Sequence, residues 1–360
     1  HFMLKEIHEQ PEAVINSLRG RVSFEDQTVT LDEFQLSDED IAKINRVVFV
    51  GMGTSFNAAM VARNWMETLA RIPCEFDNSS EFRYRDPVID ENTLVISISQ
   101  SGETADTLAA MEEAQRKGAL QLTLCNYAGT QTTRIAEHTM LLRAGLEIGV
   151  ASSKTFLNSL ISLYLLAINL GTRRGKLEPS RRRELVAELA SLPELLGQAL
   201  ADESQYEALA QKFGRRTDFL YLGRGINFPL AMEGALKLKE LSYIHAEGYP
   251  AAEMKHGPIS LIDDDMPVVA LMPNDGLYEK MLSNVNEAKA RGGTVIAIAT
   301  EGNTDIIKQV DEVIYIPKAS PLTNPVLIAV PMQLLAYHIA LWRGCDVDQP
   351  RNLAKSVTVE

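Results

Sequence analysis

Three groups of side chains in this chain have types and spacings suited to chemistry. The first is the turn Ser99-Gln-Ser-Gly-Glu-Thr104. It follows the β-branched apolar run Leu94, Val95, Ile96 and Ile98, which suits a buried parallel strand, and precedes a helical pattern reaching Lys117-Gly118. A strand that turns through hydroxyls and a glycine into a helix can hold an anion, because free backbone N–H groups and the positive end of the helix dipole face the turn. Ser99, Ser101 and Thr104 add hydroxyl donors and Gln100 an amide. N-capping explains one such hydroxyl more easily than three. No Lys follows Gly102 as in a nucleotide P-loop, so a small phosphoester fits better than a triphosphate.

The second group is Glu233, Lys237 and Glu240, whose spacing of four and then three puts them on one face of a helix expected over Ala231 to His245. A surface ion-pair ladder is the simpler reading of spacing alone. The third group comprises His256, just before the Gly257-Pro258 break, and Lys355, on the tail from Asp346 to Glu360. A loop imidazole is as often merely exposed as functional, and a frayed end is the default for a terminus. Pro350 and the alternation of Val357 and Val359 instead suit a docked, strand-like tail. Spacing leaves all three open.

The elements that must position these groups repeat. A chain of 360 residues exceeds the usual single-domain core, so two domains are expected. In the first half a broken helix runs from Met3 to Leu18, restarting at Pro11, and an acidic, irregular arm covers Val22 to Ile41. Strands are expected at Val47–Val50, Leu94–Ile98, Leu120–Leu124 and Met140–Leu142, with a short segment of unassigned type around Cys74–Phe76, a helix after Gly51-Met-Gly-Thr-Ser55 to about Ala70 and a long apolar helix from Thr155. In the second half Phe219–Gly225, Val268–Asn274, Thr294–Ala299 and Val313–Ile316 answer the first-half strands at an offset of about 173 residues, which marks a duplicated domain. Short apolar strands alternating with helices mean an α/β fold: two parallel sheets, each covered on both faces, plus a C-terminal tail. The expected division is 1–40 for the N-terminal helix and arm, 41–175 and 208–345 for the two copies, 176–207 for connecting helices and 346–360 for the tail. Copy two replaces the hydroxyl turn with Pro273-Asn-Asp-Gly276, setting Asp275 where an anion would sit. Copy one should therefore hold the phosphate.

Composition narrows the class. Hydrophobic residues make 46% and charged residues 23%, an ordinary globular mixture. The net charge of −13 argues against a nucleic-acid surface, which needs clustered Lys and Arg, but not against a phosphorylated metabolite. Cys74, Cys125 and Cys345 are few and scattered, fitting a reducing, cytoplasmic setting and neither a disulfide framework nor a zinc site. No apolar run is expected to span a bilayer, the longest being Leu157 to Leu170, and no signal peptide is visible. The start at His1 without Met suggests a processed chain or an excised piece.

The chain resembles the C-terminal isomerase halves of glutamine–fructose-6-phosphate aminotransferases, built from two sugar-isomerase (SIS) domains of flavodoxin-like, doubly wound type. The resemblance covers essentially the whole chain. It rests on His1-Phe-Met-Leu-Lys-Glu-Ile7 with Glu9-Gln-Pro11, Gly53-Thr-Ser55, Glu81-Phe-Arg-Tyr-Arg85 and Ser99 through Thr107. It continues in Glu147-Ile-Gly-Val-Ala-Ser152, Glu233 through Glu240, Lys255-His-Gly-Pro258 and the tail Asp348 to Glu360. It implies that fructose-6-phosphate sets its phosphate on Ser99, Gln100, Ser101 and Thr104, with Ser55 assisting and Val150 and Ser152 at the sugar hydroxyls. It implies that His256, supplied by the partner subunit of a homodimer, opens the ring. Lys355 would form a Schiff base, Glu240 would move the C1 proton, and Lys237 would stabilise the negative charge. No metal or cofactor is implied. The glutaminase domain of that family, which supplies ammonia for glucosamine-6-phosphate, has no counterpart in this sequence. A free-standing SIS deaminase or deglycase shares the cradle but is disfavoured by the tail and by the His1–Pro11 motif. A non-catalytic sugar-phosphate sensor has no need of Glu240, His256 and Lys355 together. Neither Gly51-Met-Gly53 nor Gly223-Arg-Gly225 completes a dinucleotide fingerprint.

Overall fold

The structure, a computed structural model, describes residues 1–359. They form two compact units. The first-repeat unit holds residues 12–147, 154–191 and 354–359; the second-repeat unit holds 1–11, 148–153 and 192–353. The segment 148–153, with Val150 and Ser152, thus packs with the second repeat although it lies within the first by chain order.

The first-repeat unit opens with a hairpin of β1 (Val22–Ser23) and β2 (Thr28–Val29). Its main strands are β3 (Arg46–Gly51), β4 (Cys74–Asn78), β5 (Thr93–Ile98), β6 (Leu120–Cys125) and β7 (His138–Leu141). They pair in the order β4-β3-β5-β6-β7, all parallel. All six residues of β5 are buried, as a strand covered by helices on both faces requires. Helices Thr54–Trp65 and Ala105–Arg116 follow β3 and β5, and Lys154–Arg173 runs buried through the unit.

The second-repeat unit has β8 (Asp218–Gly223), β9 (His245–Pro250), β10 (Pro267–Met272), β11 (Thr294–Thr300) and β12 (Glu312–Ile316) in the order β12-β11-β10-β8-β9. Counting strands within each copy, both sheets read 2-1-3-4-5. This is the flavodoxin-like doubly wound order, so the expected fold and duplication are present.

Four expectations need correction. The helix expected to reach His245 stops at Ser242, where Tyr243 takes a left-handed conformation at φ 62°, and His245 opens β9. That strand lies at the sheet edge and carries His, Glu and Gly, so it lacks a continuous apolar run. The arm is not wholly irregular: it holds the β1–β2 hairpin and a helix at Asp38–Lys43. The longest apolar run is not Leu157–Leu170, because the helix Asn324–Trp342 is longer. This helix and Lys154–Arg173 are long and apolar enough to cross a membrane, yet both are almost wholly buried inside the fold as core helices.

One buried ion cluster fastens the arm. Arg21, 1% exposed, donates to Glu33 Oε1 through Nη2 at 2.7 Å and Nε at 3.0 Å, and to the Leu141 carbonyl at 2.7 Å. Arg143 donates to the same oxygen at 2.8 Å. Burial alone would raise the Glu33 carboxyl; the Arg21 hydrogen bond and charge outweigh it and hold the carboxyl below the ordinary 4.5. A depressed folded value contributes stability above about 4.5 that is lost as pH falls through the folded value. Glu33→Gln should cost about 1.5–3 kcal/mol at pH 7. In urea melts the gap to the parent chain should narrow as the pH is lowered from 5 toward 3; a gap independent of pH would contradict this account.

Candidate functional site

In open α/β sheets, ligands bind outside the carboxyl ends of the strands where the strand order reverses. In the first-repeat unit this point lies between β3 and β5, paired as Val50 beside Ser97. The two turns leaving these strands are Gly51–Ser55 and Ser99–Thr104. Ser55 is the second residue of the helix Thr54–Trp65. The fold therefore sets the helix start that carries Ser55 and the hydroxyl turn at the carboxyl ends of two neighbouring strands.

Within the turn, Ser99 Oγ accepts the Gly102 N–H at 3.0 Å and lies 3.4 Å from Thr104 Oγ1, while Ser101 Oγ accepts the Glu103 N–H at 3.2 Å. A serine hydroxyl that accepts from backbone still has its own hydrogen to donate, and phosphate oxygens need donors. Gln100 Oε1 is buried and makes no hydrogen bond among the described residues. Gly102 sits at φ 67°, and a Cβ there would lie 2.3 Å from Thr130 Oγ1. Only glycine fits that bend. The loop after β6 braces the turn: Asn126 N–H donates to Gln100 O and Thr132 N–H to Gly102 O, each at 3.1 Å. Burial raises the Cys125 thiol and, first among its causes, the Cys74 thiol as well, so neither is poised as a thiolate nucleophile.

The tail docks on this turn. Among the described residues it makes no strand pairing, contrary to the strand-like expectation, but it is not frayed. Ser356 Oγ donates to Ser101 Oγ at 3.0 Å, and the Val357 carbonyl accepts the N–H of Ala105, the first residue of the helix Ala105–Arg116, at 3.2 Å. Lys355 Nζ lies 2.5 Å from Oε2 of Glu147, whose side chain is fully buried, and Glu147 Oε1 accepts the Thr155 N–H at 3.0 Å. The docked tail thus carries its amine to the unit that holds the hydroxyl turn.

The corresponding point of the second-repeat unit is already filled. Asp275 accepts from Asn227 Nδ2 at 3.0 Å and from the Leu277 N–H at 2.8 Å, so a carboxylate takes the donors that an anion would use. A charged cluster lies on the helix Phe228–Ser242 instead. Lys237, 1% exposed, lies 3.5 Å from Glu233 and 2.5 Å from Glu240. The side chains of Glu233 and Glu240 are 2% and 22% exposed, so the surface-ladder reading fails: the group is buried because this helix packs on Asn324–Trp342 and β9. His256 is exposed at the end of a short 3-10 turn, Ala251–His256, and makes no hydrogen bond among the described residues.

Val150 and Ser152 are half-buried on a strap that two other pieces of chain hold, the helix Phe2–His8 and the segment at Asp348. Glu6 accepts the Ile148 N–H at 2.5 Å, the Val150 N–H donates to the Asp348 carbonyl at 3.0 Å, and the Asp348 carboxylate accepts the N–H groups of Phe2 and Met3. Sequence reasoning assigned no role to Glu6, Asp348 or Glu147. Each sat in a motif of the resemblance, which was the available signal. Among the described residues no cluster of His, Cys, Asp or Glu is suited to a metal ion.

Comparison with known proteins agrees with this architecture. The SIS domain family matches residues 40–169 and 215–343. The glutamine–fructose-6-phosphate aminotransferase (isomerizing) of Pseudomonas putida is 51% identical over the whole chain, and that of Caldanaerobacter subterraneus subsp. tengcongensis is 47% identical. The chain spans 59% of the length of each. The solved C-terminal domain of glucosamine-fructose-6-phosphate aminotransferase from Francisella tularensis superposes with a TM-score of 0.92 at 38% identity, covering 97% of this chain and 98% of that domain. Two sheets of one order, a hydroxyl turn at the switch point of the first and matches over both copies lead to one conclusion: the chain belongs to the SIS family, alongside the C-terminal domains of these aminotransferases.

Proposed function

We propose that this chain binds fructose-6-phosphate and carries out the ketose-to-aldose chemistry of glucosamine-6-phosphate formation, with ammonia supplied by a glutaminase domain of the longer protein. The observation that carries this reading is the docking of the Lys355 tail on the hydroxyl turn of Ser99–Thr104 within one unit. One feature anchors a phosphate, and the other presents an amine to the same substrate.

The phosphate takes hydroxyl hydrogens from Ser99, Ser101 and Thr104, with Gln100 and Ser55 adding donors and the helix dipole adding charge complementarity. Val150 and Ser152 contact the sugar hydroxyls. His256 moves the ring-opening proton, a step suited to imidazole. The Lys355 amine adds to the C2 carbonyl, and loss of water leaves an iminium that makes the C1 hydrogen acidic. Ammonia then displaces the Lys355 amine from C2 by transimination. Glu240 carries the C1 proton of the resulting imine to C2 while the C1 hydroxyl loses its proton to become the aldehyde, and Lys237 beside it balances the carboxylate and the charge that develops. Without a glutaminase the chain isomerises fructose-6-phosphate to glucose-6-phosphate and does not use glutamine. Its three free cysteines suit a cytoplasmic setting.

The anchor is tested with Ser101→Ala and Thr104→Ala. Each removes a hydroxyl donor to a charged group, so KM for fructose-6-phosphate should rise roughly tenfold or more per substitution with kcat little changed. An unchanged KM in the double variant would remove the phosphate from this turn. We further propose a homodimer in which His256 serves the partner's substrate. Mixed His256→Ala and Lys355→Ala chains should then regain activity through hybrid dimers, and hybrids as inactive as both parents would refute the sharing.

A further inference from the structure

The geometry points to Glu147 as the proton partner of Lys355, an assignment that rests on the Schiff-base role proposed above. The Glu147 side chain is fully buried, and its partner arrives from 208 residues further along the chain. Burying a carboxylate is costly unless it is paired and hydrogen-bonded, so a site that keeps one there holds it for its partner. One oxygen is fixed by the Thr155 N–H at 3.0 Å, at the start of the helix Lys154–Arg173, where the dipole favours negative charge. The other oxygen faces the Lys355 ammonium at 2.5 Å. The carboxylate is therefore oriented by the scaffold with one oxygen against the amine.

This arrangement answers a chemical need. An ammonium has no lone pair and cannot add to a carbonyl. Glu147 takes one proton from Lys355, which leaves a neutral amine and a carboxylic acid. The amine nitrogen forms a bond to C2 as the carbonyl π bond breaks, and a proton passes from nitrogen to oxygen to give the carbinolamine. Glu147 returns its proton to that hydroxyl, the C–O bond breaks, and water leaves. The products are an iminium and a carboxylate, so the ion pair present at the start is restored and Glu147 is unchanged. Glu147 thus serves as the general base toward Lys355 and as the general acid toward the departing hydroxyl.

The test uses the chain with fructose-6-phosphate and sodium cyanoborohydride, following the reduced adduct on the Lys355 peptide by mass spectrometry. Glu147→Gln still accepts the Thr155 N–H but takes no proton, so trapping should slow roughly a hundredfold with the dissociation constant for fructose-6-phosphate within about twofold of the parent. Glu147→Asp keeps the acid and should recover most of the rate. Trapping by Glu147→Gln at the parent rate would overturn the assignment. So would equal loss in both variants together with faster tryptic cleavage after Lys355, since that pattern marks a tether for the tail. If the parent chain forms no adduct at Lys355, the Schiff-base reading itself fails, and this assignment falls with it.

Discussion

Replacing Lys355 by arginine is expected to lower turnover of fructose-6-phosphate by at least about a thousandfold while the tail stays docked. Arginine keeps a positive charge opposite the buried Glu147 carboxylate, so the pair that fastens the tail persists. Its guanidinium is not deprotonated in proteins, however, and offers no amine to add at C2. The variant thus separates two roles that Lys355→Ala removes together: the tether and the nucleophile. Cyanoborohydride should give no adduct on the arginine chain, and tryptic cleavage at position 355 should be as slow as in the parent. More than a tenth of parental turnover in Lys355→Arg would show that the amine is a charge and not a nucleophile.

What the sequence made legible follows from how local each signal is. The hydroxyl turn was readable because strand, glycine bend and helix start are adjacent in the chain and each has its own residue signature. Neither Ser55 nor the tail could be placed beside it from spacing. The helix start that carries Ser55 is set at the neighbouring strand end by the pairing of β3 with β5, and the tail reaches the turn through the Ser356–Ser101 and Val357–Ala105 bonds. The duplication was readable because buried parallel strands are continuous apolar runs. β9 was missed because an edge strand needs no such run, and the Pro273–Gly276 turn was read correctly because a carboxylate at a helix-side turn carries its own meaning.

Glu147 and Lys237 show the opposite case. A glutamate in a Gly-rich loop carries no signal of burial, and a lysine among glutamates at helical spacing reads as a surface residue. Distant chain meets both: Lys355 pairs with Glu147, and the helix Phe228–Ser242 that carries Lys237 packs on Asn324–Trp342. Charge buried by tertiary packing leaves no periodic trace. Only the matched family motifs marked these residues beforehand, and only the structure shows why the motifs hold charges where solvent does not reach.

That burial leads to the largest effect on stability. Lys237→Met preserves a long, flexible side chain and so most of the packing, yet it removes the cation lying 3.5 Å from Glu233 and 2.5 Å from Glu240. Taking one partner from a buried pair costs about 3–5 kcal/mol, because the remaining charge has been stripped of water without compensation. Two carboxylates share this lysine, and the side chain of Glu233 is 2% exposed, so the upper part of that range is expected. Adding Glu233→Gln to Lys237→Met should recover part of the loss, since a neutral amide needs no counter-charge. Adding Glu240→Gln should recover less, because the Glu240 side chain is 22% exposed and retains some solvent. Urea melts of the three chains at one pH measure these differences directly. Full parental stability in Lys237→Met would mean that the carboxylates find their compensation elsewhere, and Lys237 would then be kept at this position for the reaction alone.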